Sequence, residues 1–401
     1  MGTAHYIALN DFGGLQTLFI STVQHRDGLR SDFIVLNRAV EPPLDRLTDS
    51  LQRTNVPVYW VANRRRAFTP FDSFDRVWRW FRGEPSQVEL EDCLVRHRIG
   101  TILCWNTFPQ KEMITKGRRA LFYDHGKSWI ANPTTRSRET VARASGYIAV
   151  SQAAQAMLRH VWDIADPIAV VPNPLRFDSD ILPPLRLRSA PDEPVVIGAA
   201  GRMLSFKGFA SLVEAIAILA MRGWEVQLKL AGTGPEEQAL KEQCARLGLT
   251  QVEFCGLVYD MPSFYEQIDL LICPSLREPF GLVSLEALAF GVPTIVSRVD
   301  GLPETFPQPW AGLAVQPTLP LDRYASLGSS LDRMPALVYD PATETVGPPL
   351  ALDPEALVDA MEKVLDNYST YAANAFAAGK AIRQTRGMTE YVAELDRAIH
   401  A

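Results

Sequence analysis

Short apolar runs alternate with longer segments of helical period along nearly the whole 401-residue chain, and this alternation most narrows the fold. In the first half the strand-like runs are His5–Leu9, Phe33–Leu36, Val56–Val61, Thr101–Cys104, Ala120–Tyr123, Tyr147–Val150 and Ile168–Val171. Helix-period stretches such as Val88–His97 and Ala153–Val161 lie between them. Strands this short and apolar are buried on both faces, which calls for parallel pairing with helical crossovers. Residues 172–194 then carry Pro172, Pro174, Pro183, Pro184, Pro191 and Pro194, a density that stops regular structure and marks a boundary.

After the boundary the same alternation restarts. Strands are expected at Val195–Ala200, Val226–Ala231, Val252–Cys255, Leu270–Cys273 and Thr294–Val296, with helices around Leu212–Met221, Glu236–Leu247 and Leu282–Phe290. The expected class is α/β, with two doubly wound Rossmann-like domains in tandem over residues 1–180 and 181–375, facing across a cleft. The last stretch, 376–401, is expected to be a helix packing back toward the first domain. Ligands of such sheets bind beyond the carboxyl ends of the strands, so a cleft between the domains is the expected site. Residues 307–349 are rich in Pro, Gly and Leu without clear period and read as an irregular insertion or long loop.

Composition bounds the partners. With 47% hydrophobic and 21% charged residues the chain can bury a sizeable core. No apolar stretch approaches the roughly 18 residues of a membrane span, and His5–Leu9 reads as a first strand rather than a signal peptide, so a cytoplasmic location is expected. The cysteines Cys93, Cys104, Cys244, Cys255 and Cys273 lack C-x-x-C spacing, which argues against disulfides and zinc. The net charge of −6 divides unevenly: residues 1–190 hold 25 Lys and Arg against 19 Asp and Glu, and the remainder holds 15 against 27. A basic first half suits an anionic acceptor or membrane surface, while no nucleic-acid module is present, so no nucleic-acid partner is expected.

Two segments of the second half carry the chemistry. Ala199-Ala-Gly-Arg-Met-Leu-Ser-Phe-Lys-Gly208 follows a strand and precedes a helix, so Arg202 and Lys207 project from a strand's carboxyl end. A guanidinium fork and an ammonium point charge there suit a diphosphate, whose leaving charge they can neutralise without a metal. A solvated turn is the plainer reading of that segment taken alone. Cys273-Pro-Ser-Leu-Arg-Glu-Pro-Phe-Gly-Leu282 is again strand end, loop and helix start, and the amides of Phe280, Gly281 and Leu282 can face an anion or sugar. Glu278 lies before that helix and Glu286 about a turn inside it. Ionised carboxylates accept well from vicinal hydroxyls, so Glu286 is the candidate for ribose and Glu278 for a transferred sugar. Alternatively Glu278 is a loop charge and Glu286 a surface residue. Leu282, Val283, Leu285, Leu288 and Ala289 make the helix mostly buried, however, so Glu286 needs a ligand or a partner. A glycosidase-like acid and base pair would leave Arg202 and Lys207 unexplained.

The ordered set Gly201-Arg202…Lys207-Gly208, Ala231-Gly-Thr-Gly-Pro-Glu236, Phe254-Cys-Gly-Leu257 and Glu278…Glu286 (E-x7-E) resembles retaining glycosyltransferase family 4, of GT-B fold. Val150-Ser151, Val171-Pro-Asn-Pro174 and Ala351-Leu-Asp-Pro-Glu-Ala-Leu357 extend the resemblance. It implies a hexosyltransferase using a nucleotide-sugar donor, UDP- or GDP-linked, and a glycan or glycolipid acceptor, in cell-surface polysaccharide or lipopolysaccharide synthesis. Arg202 and Lys207 would bind the diphosphate, Glu286 the ribose, and Glu278 with the Phe280–Leu282 backbone the sugar. The anomeric configuration would be retained, with no metal and no cofactor. A sugar phosphorylase of similar fold and a non-catalytic nucleotide-sugar binder are the rival readings.

In the first half, Asn10-Asp-Phe-Gly-Gly14 follows the first strand, where Gly13 and Gly14 let backbone approach a bound donor closely or simply make a tight turn. Tyr123-Asp-His-Gly-Lys-Ser128 clusters an acid, an imidazole and a lysine, and His125 stands where the family often has a histidine contacting the donor sugar. Asp124 could orient that imidazole or activate an acceptor hydroxyl. Asn173-Pro174 replaces the family's Gly-Val-Asp, and Asp178-Ser-Asp180 is a D-x-D in a linker rather than at a strand end, a poor place for a metal. Residues 60–66 and 76–82 interleave cations with large aromatics, which fits contact with an anionic inner membrane face or an ordinary amphipathic helix.

Overall fold

A computed structural model describes residues 2–9, 13–25, 33–37, 49–51, 53–54, 56–61, 87–88, 90–130, 133–177, 185 and 193–401. Asn10–Phe12, the cation–aromatic stretches from 62 to 82 and Asp178–Asp180 lie outside the described residues. The chain forms two compact units. The first comprises Met1–Val150, Leu158–Arg176 and Met388–Ala401, and the second Ser151–Met157 with Phe177–Gly387.

The first unit is built on an all-parallel sheet of β1 (Gly2–Ile7), β2 (Phe33–Asn37), β3 (Val58–Val61), β4 (Gln87–Val88), β5 (Ile99–Trp105), β6 (Arg119–Asp124), β7 (Gly146–Ala149) and β8 (Ile168–Val170). Their order is β4-β3-β2-β1-β5-β6-β7-β8. Successive strands step outward from β1 on one side and from β5 on the other, so the winding reverses between β1 and β5. Val88, expected inside a helix, instead pairs with Val61 as an edge strand, and the helix runs only over Leu90–Arg96. The closing helix Met388–His400 counts with this unit, where the Arg119 guanidinium donates to the Ile399 carbonyl at 3.4 Å.

The second unit carries β9 (Val195–Ala200), β10 (Val226–Ala231), β11 (Val252–Gly256), β12 (Leu270–Cys273), β13 (Thr294–Ser297) and β14 (Leu313–Val315) in the order β11-β10-β9-β12-β13-β14, all parallel. Here the winding reverses between β9 and β12. Ile197, Leu228, Leu230, Leu270, Ile272 and Ile295 fill the sheet's core against Leu212, Val213 and Ile216 of the helix Phe209–Met221 and Leu357, Met361 and Val364 of the helix Pro354–Asp366. Strands without polar positions have no solvated face, which is why the short apolar runs were readable as interior strands.

The stretch 307–349 is not an irregular loop. It contains β14, the short helix Leu321–Ser326 and an antiparallel hairpin of β15 (Val338–Asp340) and β16 (Thr345–Gly347). An antiparallel bridge between Leu319 and Ala351 closes the neck of this insert. Its elements were hidden because three strands of three residues each are too short to show a period of two.

Candidate functional site

The second unit's site grows from the reversal between β9 and β12, since two neighbouring strands whose following connections diverge leave a crevice at their carboxyl ends. The loop after β9 supplies Gly201, Arg202 and Lys207, and the loop after β12 supplies Glu278, Phe280 and Gly281. The first loop closes as a single 3-10 turn, Ser205–Lys207, capped by Gly208 in the left-handed region at φ +74°. A Cβ on Gly208 would lie 1.9 Å from the Pro274 carbonyl oxygen, so only glycine lets the two loops come this close. Lys207 Nζ meets Glu278 Oε2 at 2.5 Å, and each side chain is 19% exposed. Arg202, from the same loop, is exposed.

Three further connections tie these loops down. Met203 N–H donates to Thr233 O at 2.9 Å and Glu236 N–H to Met203 O at 3.1 Å, so the Gly232–Glu236 turn after β10 braces the Arg202 loop. The Glu236 carboxylate accepts from Ser329 Oγ, Ser330 N–H and Ser330 Oγ, while Ser205 Oγ donates to Asp332 O and Tyr324 Oη to Ser205 O. The insert therefore lies against both loops. On the other side, Ser151 Oγ donates to Pro279 O at 2.6 Å, and the Glu304 carboxylate accepts from the N–H groups of Gln152 and Ala153. Burial raises the Glu304 pKa against the lowering effect of those two N–H donors.

The helix Leu282–Ala289 begins where expected, with Gly281 at φ +103° as its cap. Its first N–H groups have no carbonyl within the helix to donate to, so this end is suited to an anion or a sugar oxygen. The helix is pinned from behind: a Cβ on Gly379 would strike the Leu288 carbonyl at 2.4 Å, and the Arg383 guanidinium donates to Ala289 O while stacking over Phe290. Glu286 is fully buried and accepts a 2.7 Å hydrogen bond from Tyr265 Oη. The partner that a carboxylate on a buried helix requires is thus a tyrosine 21 residues upstream.

The first unit places Gly13 as the cap of the helix Gly14–Gln24, after β1, and His125 after β6. Gly13 is extended at φ −156°, so conformation alone does not demand glycine there. The His125 ring stacks on Trp105, with centroids 5.4 Å apart at 13°, and lies 4.1 Å from the Tyr123 ring. Its Nε2 is buried with no hydrogen-bond partner, and burial pushes the imidazole pKa down to about 3, so the ring is neutral. Asp124 does not orient it. The Asp124 carboxylate accepts from the N–H groups of Gly126, Lys127 and Ser128 and from Ser128 Oγ, which uses it as the cap of the turn that follows. Asn106 Oδ1 takes the N–H groups of His125 and Lys127.

The structure also brings in residues that the sequence did not single out. Asp300 is fully buried and accepts from Glu278 N–H at 3.0 Å, and Tyr265 reaches Glu286. An Asp-Gly pair after β13 is the only sequence signal for the first, and it signals no more than a turn.

Comparison with known proteins agrees with this geometry. Residues 194–327 match the family Glycosyl transferases group 1. Mannosylfructose-phosphate synthase of Agrobacterium fabrum is 39% identical over 118 residues, 27% of this chain and 26% of that protein. The capsular polysaccharide biosynthesis glycosyltransferase CapM of Staphylococcus aureus is 35% identical over 124 residues, 30% of this chain and 32% of that one. The lipopolysaccharide core biosynthesis mannosyltransferase LpsB of Rhizobium meliloti is 36% identical over 114 residues, 27% and 32% of the two chains. The matched stretch thus spans about a third or less of these relatives. Anabaena HepE, solved with UDP-glucose, shares the fold over 100% of this chain and 99% of its own with a TM-score of 0.69 at 19% identity. Residues 194–327 are thus similar in sequence to the group 1 glycosyltransferases, and the chain has the GT-B fold seen in HepE.

Proposed function

We propose that this protein transfers a hexose-type sugar from a nucleotide-sugar donor to a glycan or lipid-linked acceptor, with retention at the anomeric carbon, in capsule or lipopolysaccharide synthesis. The observation that carries the proposal is the meeting of Lys207 and Glu278 at 2.5 Å where the winding of the second sheet reverses. A cation for a phosphate and a carboxylate for sugar hydroxyls stand side by side there, beside the open end of the helix at Leu282.

In this reading Arg202 and Lys207 neutralise the leaving diphosphate, the step in which negative charge develops. Glu278 and the amides of Phe280–Leu282 hold the transferred sugar, and Glu286 the ribose. The leaving phosphate oxygen, on the same face as the departing bond, takes the acceptor hydroxyl's proton as the new C–O bond forms, so no side-chain base is required. The resemblance assigns His125, whose ring is neutral and whose Nε2 is buried with no hydrogen-bond partner, a hydrogen bond to the donor sugar. The capsular and lipopolysaccharide relatives support the pathway class. Among the described residues no helix is long and apolar enough to cross a membrane.

The test is a thermal-shift screen with UDP, GDP, ADP and their hexose conjugates, followed by transfer assays with the donor that stabilises the protein. Stabilisation by a nucleoside diphosphate and its sugar, and turnover lost in Lys207→Ala, are expected. Turnover supported by inorganic phosphate in place of the nucleotide would replace this reading with a phosphorylase.

A further inference from the structure

Asp300 holds a conformation that non-glycine residues seldom take, φ +49°, while fully buried. Four hydrogen bonds explain why it persists. Asp300 Oδ2 accepts from Glu278 N–H at 3.0 Å, and the next residue, Gly301, donates its N–H to Glu278 O at 3.1 Å. Asp300 Oδ1 accepts from Tyr339 N–H at 2.8 Å, and Asp300 N–H donates to Tyr339 O at 2.9 Å. The pair Asp300-Gly301 thus grips the main chain of Glu278 on one side, and Asp300 grips that of Tyr339, in the middle of β15, on the other.

The junction has little slack. A Cβ on Gly301 would lie 2.3 Å from Pro279 O, so residues 279 and 301 are in close backbone contact beside the grip. The hairpin sits in the insert, whose earlier part is tied to Ser205 and Glu236. Its main-chain position is therefore set from two sides, and what it fixes is the Glu278 main chain.

We propose that Asp300 is a positioning residue that makes the placement of Glu278 depend on the hairpin Val338–Gly347, so that this hairpin is a specificity element for the transferred sugar. The proposal rests on the reading of Glu278 as the sugar-holding carboxylate. The carboxylate is suited to the task because it has acceptors for two N–H groups at once. Asparagine has one such oxygen, and its amide N–H would face a main-chain N–H.

Two variants test it. Asp300→Asn alters the grip with little change of volume. In the second, a Gly-Gly link replaces residues 339–346, which is feasible because Val338 and Gly347 face each other in the hairpin. Calorimetry compares binding of a nucleoside diphosphate with that of its sugar, using UDP and UDP-glucose, GDP and GDP-mannose, and ADP and ADP-glucose, and transfer assays give kcat and KM. In each variant the nucleoside diphosphate is expected to bind within about twofold of wild type, while the ratio of sugar-nucleotide to nucleotide Kd and the kcat each worsen by about tenfold, the scale of a misplaced contact. Combining the two changes should add nothing further, because both break one path. An unchanged ratio in both variants, or effects that multiply, overturns the proposal. If Asp300→Asn does not fold, the hairpin-less variant alone decides by the same ratio. Wild-type protein that binds none of the three pairs removes the sugar-holding reading of Glu278, and the proposal with it.

Discussion

Lys207 and Glu278 stand 71 residues apart in the chain, and their Nζ and Oε2 atoms lie 2.5 Å apart. The ion pair neutralises one of the two cations read as diphosphate ligands: the Lys207 charge is held by the carboxylate that would hold the sugar. A donor that carries both groups offers each partner a replacement. A bare nucleoside diphosphate offers one only to Lys207.

This has a measurable consequence. Glu278→Gln should bind free nucleoside diphosphate about threefold to tenfold more tightly than wild type, since Lys207 no longer has to leave a counter-ion. The same variant should lose transfer by roughly a hundredfold or more. Calorimetry with UDP or GDP, set beside a transfer assay, checks both; weaker nucleotide binding in this variant would show that Glu278 does not compete for Lys207.

Lys207→Ala should reduce kcat/KM by roughly a hundredfold to a thousandfold, the usual size of a lost charge-stabilising group. Its melting temperature should fall as well, because Glu278, only 19% exposed, loses its counter-ion. Stopped assays with the donor identified by thermal shift give the comparison, and near-normal turnover would remove Lys207 from the diphosphate site.

Tyr265→Phe takes one hydrogen-bond donor from a fully buried carboxylate, Glu286, and leaves the ring in place. Stability should drop by about 1–3 kcal/mol, read by chemical denaturation. Donor KM should rise as well, since the Tyr265 hydroxyl orients the carboxylate read here as the ribose holder. A stability loss with unchanged KM would separate Glu286 from the donor.

Gly208→Ala is expected to be far more damaging than its one methyl group suggests. The new Cβ would sit 1.9 Å from Pro274 O on a backbone at φ +74°, forcing apart the two loops that carry Lys207 and Glu278. A loss of roughly 2–4 kcal/mol follows from the strain and the displaced packing, seen as a lowered melting temperature. Wild-type stability in this variant would mean that the loops part freely.

The buried imidazole of His125 makes stability depend on pH. Its pKa is about 3 in the folded protein, against an ordinary value of 6.5, so between these values the unfolded chain binds the proton and the folded one does not. Stability from this residue is therefore full above pH 6.5 and declines as the pH falls toward 3. At pH 5 the loss amounts to about 2 kcal/mol relative to pH 7. His125→Gln should flatten that part of the profile in denaturation experiments, and an identical pH dependence in both proteins would show that the ring is not held neutral.

Much of this was legible before the structure. Arg202, Lys207, Glu278 and the helix start at Leu282 follow from apolar strands ending in loops, because in a doubly wound sheet the carboxyl end of a strand is a fixed address. Glu286 could be recognised as needing a partner, since its neighbours on the helix are apolar. Which partner it has was not legible. Tyr265 lies in an ordinary half-apolar helix, and only the packing of two helices turns its hydroxyl toward the carboxylate. Asp124 was misleading for the opposite reason: a carboxylate beside a histidine is also two to four residues before the amides it caps, and the local hydrogen bonds take it. Asp300 and the hairpin were out of reach because their meaning lies in pairings across 22 and 39 residues, with no period to announce them.

The bridge between Leu319 and Ala351 returns the chain to the point where it left the sheet. A change of length between those residues does not alter the span that the rest of the fold must bridge, and closing a longer loop adds little entropic penalty. Within that stretch Tyr324, Ser329, Ser330 and Asp332 hold Ser205 and Glu236 and must stay, so the exchangeable part is the hairpin Val338–Gly347, where new sugar preferences could be grafted by swapping one short stretch of gene.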